Sequence, residues 1–165
     1  MSELYIARSV EVTVSCKAWF DDCPEAAVIV AGAAQAVLLD SAGVGSWIVD
    51  VTLADDAEQQ HLNRTYRGRD TATNVLAFPQ TAPGSLRSEV PVLLGDVVLA
   101  YQTVRREAAE QDKALANHLR HLVVHGVLHL LGFDHENAAE AAVMETREIK
   151  ILAGLGVPDP YRGTM

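Results

Sequence analysis

Residues Asn117 to Glu136 read NHLRHLVVHGVLHLLGFDHE and hold five of the six histidines in the chain. Three of these, His125, His129 and His135, stand at offsets 0, +4 and +10. Helical side chains four residues apart lie one above the other on one face, so His125 and His129 can aim two imidazoles at a single point. The apolar residues around them predict a buried or half-buried helix. Gly132 follows at the place where a residue of positive φ commonly ends a helix. Past it the chain can turn back and bring His135 towards the other two. Three imidazoles with one open position form the usual catalytic zinc site.

The same spacing occurs in the zinc-protease motif H-E-x-x-H-x-x-G-x-x-H, but Gly126 stands where those enzymes carry the glutamate base. The metal cage is kept without the protease base, which points to a substrate other than a peptide. A zinc peptidase-like hydrolase is the alternative reading.

The chain has 165 residues, enough for one domain spanning residues 1–165 with a sizeable core. No apolar run reaches the ~18 residues a membrane span needs, and no secretory signal opens the sequence. A cytoplasmic protein without a membrane partner is expected. Cys16 and Cys23 form no metal or redox motif and are expected to be reduced. The net charge is −9, but it is unevenly spread. Residues 1–60 carry 2 basic and 10 acidic side chains, whereas residues 61–125 carry 8 basic and 6 acidic. A locally positive lip near the histidine helix is compatible with a phosphate backbone.

Periodicity predicts strands at Val10–Ser15, Trp47–Leu53, Asn74–Phe78 and Leu93–Ala100. Helices are expected over Glu25–Leu39, from Ala54 to about Tyr66, over Tyr101–Gln111, from Lys113 or Ala114 to Leu131, and from Asn137 to about Ala153. Gly43 and Gly45 should end the first helix, and Gln80–Val90 reads as a mobile surface loop. Gly95, inside the last strand, predicts a bulge or a close approach. Four strands among about five helices, without a strict β–α repeat, give an α+β domain with one four-stranded mixed sheet.

A second stretch, LNRTYRGRDTATNVLAFP at Leu62–Pro79, places Arg67 in a loop where its planar guanidinium could engage two phosphate oxygens. Together the two stretches resemble the YbeY family, bacterial metal-dependent endoribonucleases of ribosomal RNA maturation. HGVLHLLGFDH at His125–His135 matches the family signature. Leu62–Pro79, Leu94-Gly95-Asp96 and the terminal LGVPDPY at Leu155–Tyr161 match further family motifs. Departures are Asn74 where many members have Asp, Ala77 for Ser and Phe133 for Tyr.

The resemblance implies one Zn²⁺ per chain on His125, His129 and His135. It also implies a functional role for Arg67 with single-stranded RNA. The substrate would be a ribosomal RNA precursor, in 16S rRNA 3′-end maturation and ribosome quality control, with the ribosome or its proteins as partners. A third reading is a ribosome assembly factor with a mainly structural metal. In the expected mechanism water on the metal of His125 and its companions is acidified and Arg67 offsets charge on phosphorus. His121, one turn before His125, is a candidate base or supporting group. Asp96 and Asp134 are candidates to orient a ligand imidazole through its other nitrogen. His118 and His61 read as surface residues, and Trp19, Trp47 and Phe78 as core.

Overall fold

The computed structural model describes residues 8–41, 47–80 and 92–162. The strands are β1 (Arg8–Val14), β2 (Trp47–Ala54), β3 (Val75–Pro79) and β4 (Val92–Ala100). The helices are α1 (Ala18–Asp22), α2 (Ala26–Asp40), α3 (Asp56–Arg67), α4 (Tyr101–Glu110), α5 (Leu115–Leu130) and α6 (Ala138–Gly154). Gly43, Gly45 and the expected loop beyond Gln80 lie outside the described residues.

The sheet is mixed, in the order β1-β2-β4-β3. β1 and β4 run parallel to β2, and β3 runs antiparallel to β4. Alternation decides which face is covered. Trp47, Val49, Val51 and Leu53 of β2 are buried, while Ile48, Asp50 and Thr52 between them are only half-buried. Successive strand side chains point to opposite faces, so the buried set faces α2 and α5 and forms the core with Val30, Val37, Leu119, Val123 and Val127.

The opposite face receives α3, a polar helix whose buried side chains are Gln59 and Asn63. Gln59 is satisfied by backbone at both ends of its amide, whereas Asn63 is bonded through its amide nitrogen only, its Oδ1 being buried without a partner. The Gln59 amide donates to Val98 O at 2.9 Å and accepts from Thr73 N at 2.8 Å. The Asn63 amide donates to Thr71 O at 2.9 Å. Asp55 caps α3 by accepting from Glu58 N, and Asn137 caps α6 by accepting from Glu140 N.

The described residues contain six helices rather than five. Asp21, Asp22 and Pro24 read as a turn, but Trp19 is fully buried and its indole Nε1 donates to Ala54 O at 3.0 Å. That tertiary contact holds a five-residue helix too short to leave a periodic signal.

Gly95 is a close approach, as its place in the strand suggested. The β2–β4 register slips between Ile48 and Val49. Gly95 has φ +149°, and a β-carbon there would fall 2.3 Å from the carbonyl oxygen of Phe78. The proline that ends β3 lies on the outer strand of the sheet, where a missing N–H is tolerated.

Candidate metal centre

The histidine column on α5 follows from its spacing. Ring centroids of His118 and His121 are 6.3 Å apart, His121 and His125 6.3 Å, and His125 and His129 4.6 Å. Gly132 ends the helix at φ +102°. Phe133 N donates to Leu128 O and Gly132 N to His129 O, at 3.1 and 3.0 Å, the paired bonds of a Schellman turn. Asp134 then accepts from His135 N at 2.7 Å. The chain thus returns the His135 ring to 5.7 Å from His125 and 5.0 Å from His129.

One ring nitrogen from each of His125, His129 and His135 lies within 4.8 Å of the others. The Nε2 atoms of His125 and His129 are 3.1 Å apart. Burial, with the neighbouring His125 and His135, lowers the His129 pKa and favours the neutral ring a cation requires. The donor set fits a borderline divalent metal, and among the described residues no fourth histidine, cysteine or carboxylate joins it.

Behind His125 sits Glu148 of α6, 0% exposed. His125 Nδ1 donates to its Oε1 at 2.9 Å, and His121 Nε2 donates to its Oε2 at 3.0 Å. The Tyr161 hydroxyl donates to the same carboxylate at 2.9 and 3.0 Å. Burial alone would raise this carboxyl's pKa, but the hydrogen bonds and charges of His121 and His125 outweigh it and hold it at about 2. Burial and the Glu148 charge push the Tyr161 hydroxyl up, so it remains a donor.

The three rings line a cleft of about 810 Å³ whose wall also includes Arg67, Arg69 and Asn74. Arg67 is the last residue of α3, followed by Gly68 in the left-handed conformation. Its guanidinium donates to the carbonyl of Ala77 on β3 and lies 5.1 Å from the centre of the Phe78 ring. The side chain is otherwise exposed; it borders the histidine cleft and also a second cavity lined by Thr52, Phe78 and Asp96.

Residues 12–156 match the family described as Endoribonuclease YbeY. The chain belongs to the YbeY family. Similar proteins include the Endoribonuclease YbeY of Rhodopseudomonas palustris strain HaA2, 45% identical over 158 residues, covering 93% of this chain and 81% of that one. That of Paramagnetospirillum magneticum is 45% identical over 165 residues, covering 94% and 97%. That of Halorhodospira halophila is 54% identical over 112 residues, covering 68% and 73%. The fold is similar to the solution structure of TM1509 from Thermotoga maritima, with TM-score 0.56 and 22% identity over 93% of this chain and 99% of that one.

His125, His129 and His135 meet at one point, and Arg67 borders the same cleft. The three further candidates are placed differently from one another. His121 lines the cleft, but its Nε2 is engaged by Glu148 and lies 3.3 Å from the Tyr161 oxygen, while its Nδ1 is buried without a partner. Asp134 also lines the cleft, and its carboxylate accepts from the His135 backbone N–H rather than from an imidazole. Asp96 pairs in register with Asp50 and with Phe78. The next residue, Val97, meets α5 at Gly126, so Asp96 points to the other sheet face. Burial and the adjacent Asp50 raise its pKa.

His118 is not a surface residue. It is 4% exposed and its Nε2 donates to Glu107 at 2.9 Å. His61 is exposed and Trp47 is core, as expected. Phe78 is half-buried beneath Arg67. Cys16 and Cys23 are free thiols.

Glu148 and the contact of Tyr161 were missed from sequence. Glu148 had a signal: it interrupts the buried stripe Met144, Ile151 and Leu152 of α6, an acid on an apolar face. No local spacing links Tyr161 to it.

Proposed function

We propose that this chain is a metal-dependent endoribonuclease that cleaves single-stranded RNA, with His125, His129 and His135 holding one Zn²⁺ and Arg67 binding the phosphate. The carrying observation is the convergence of three imidazole nitrogens within 4.8 Å in the cleft that Arg67 borders. The name shared by the family and its relatives supports RNA as substrate. The role in 16S rRNA 3′-end maturation and ribosome quality control, contact with the ribosome, a cytoplasmic location and a single catalytic domain over residues 1–165 belong to the same proposal. Among the described residues no helix is long and apolar enough to cross a membrane.

The cation would supply Lewis-acid chemistry, acidifying water and drawing charge from a phosphate oxygen. The chain supplies position and charge. The rings at 125, 129 and 135 would present lone pairs to the cation. Arg67, tethered to Ala77 O, keeps further N–H donors for phosphate oxygens and offsets negative charge in the transition state. Its stacking on Phe78 limits the rotamers it must lose on binding.

The peptidase reading is weakened by the position of Gly126. A β-carbon there would fall 2.8 Å from Val97 Cγ1, so this residue faces the sheet and not the cleft side that a base must reach.

The test is cleavage of single-stranded RNA by zinc-loaded protein beside His129→Ala and Arg67→Glu variants. Loss of cleavage in both supports the proposal. Equal cleavage by all three points to a contaminating nuclease and removes it, and release of a labelled peptide by the wild type promotes the peptidase reading.

A further inference from the structure

We infer that Glu148 and Tyr161 are positioning residues for the metal-binding histidines, so that the C-terminal turn completes a centre otherwise built on α5. The inference rests on the reading of His125 as a ligand and adds what holds that ligand in place.

A carboxylate with no exposed surface is costly to bury unless its oxygens are occupied. Those of Glu148 take three donors: His125 Nδ1, His121 Nε2 and the Tyr161 hydroxyl. An ionised carboxylate only accepts, so each donor must carry its proton on the atom that faces it. In its neutral form His125 therefore holds its proton on Nδ1, and its Nε2 keeps a lone pair towards His129 Nε2, 3.1 Å away. His121 holds its proton on Nε2. One buried side chain thus fixes opposite tautomers in two rings a helical turn apart.

Tyr161 makes this arrangement depend on the turn that follows α6. Its hydroxyl bridges both carboxylate oxygens, and its ring meets His121 edge-on at 5.4 Å between centroids. The turn that carries it is tied down on both sides. Asp159 accepts from Tyr161 N at 2.8 Å, and Lys113, just before α5, donates to Pro160 O at 3.3 Å.

Packing alone does not require an acid here. An apolar residue of similar volume would serve the α5–α6 contact as well or better. The carboxylate has a purpose if the rings it orients must present fixed lone pairs, as metal-ligating imidazoles do through a carboxylate on the second nitrogen. His121, His125 and Glu148 also offer donor atoms within 4.8 Å of one another, so the same trio could hold a cation of its own. The test separates the two.

The imidazole ¹⁵N pattern of metal-free protein is recorded by NMR, and zinc affinity and stoichiometry are measured by chelator competition. Wild type is expected to show Nδ1–H at His125 and Nε2–H at His121, with one zinc per chain. Glu148→Gln, whose amide offers a single acceptor oxygen, should lose the fixed pattern in at least one ring and weaken zinc binding by roughly 10–100-fold. Tyr161→Phe, at the rim, should fold normally and weaken zinc binding by a few-fold. Should Glu148→Gln not fold, the Tyr161→Phe affinity and the wild-type tautomers decide. Unchanged tautomers and affinity in the variants would overturn the inference, as would a second zinc in wild type that Glu148→Gln loses. The RNA-cleavage reading is tested separately, since neither readout uses RNA.

Discussion

Gly126 of α5 lies directly against Val97 of β4: a β-carbon on the glycine would fall 2.8 Å from Val97 Cγ1 and 3.3 Å from Val75 Cγ2. This contact sets how closely the histidine helix approaches the sheet. It also gives a physical reason why a motif with protease spacing carries no glutamate at this position. A long acidic side chain would have to enter the core. Gly126→Glu is expected to destabilise the fold by more than ~3 kcal/mol without producing peptidase activity. Chemical denaturation and a peptide-release assay check both parts, and a stable variant that cleaves peptide would refute the packing explanation.

Gly95 should tolerate substitution less well than Gly126. At Gly95 a β-carbon meets the backbone carbonyl of Phe78 at 2.3 Å, and φ is +149°. At Gly126 the obstacle is a valine side chain, and alanine recovers up to ~1 kcal/mol of helix propensity. Gly126→Ala is therefore expected to cost about 1–2 kcal/mol, and Gly95→Ala about 3 kcal/mol or more. Thermal or urea unfolding of the two variants side by side gives the order, and the reverse order would show that the β3–β4 approach relaxes easily.

Arg67 should separate function from folding. It is exposed and makes one bond to the β3 backbone, worth about 1 kcal/mol. Arg67→Ala is expected to unfold within a few degrees of wild type while cleavage of single-stranded RNA falls at least ~10-fold. Arg67→Lys should recover only part of the activity, because a point charge cannot reproduce the paired donors of guanidinium. Full activity in Arg67→Ala would remove the residue from the phosphate site.

His118 should give the metal-free protein a pH-dependent stability. Burial lowers its pKa below 6.5, outweighing the hydrogen bond and charge of Glu107 that act in the other direction. Above 6.5 the ring is neutral in both folded and unfolded chains, and its contribution to stability is fully present. As pH falls below 6.5 the unfolded chain takes up the proton first, so stability is lost. Tm is expected to drop by roughly a few degrees between about pH 7 and pH 5.5, and less in His118→Gln. Equal slopes in the two proteins would show that this ring does not titrate differently on folding.

Much of the architecture was legible in the residues. Short apolar runs bounded by turn residues located all four strands, and the 0, +4, +10 histidine spacing with Gly132 located the candidate metal centre, because helix pitch and a left-handed glycine are local properties. Asp55 and Asn137 marked helix starts for the same reason. Strand order, the antiparallel β3 and the short α1 were not legible, since each depends on contacts such as Trp19 to Ala54 that join distant parts of the chain. Asp96 shows the limit most plainly. Sequence placed it beside the site, yet strand parity turns it to the opposite sheet face while Val97 meets α5. The support of the site came from elsewhere, from Glu148 and Tyr161, 23 and 36 residues beyond His125. Which rings could gather was settled by local geometry. Which tautomers they adopt was decided by packing, because a buried carboxylate acts only on the donors that the folded chain brings within reach.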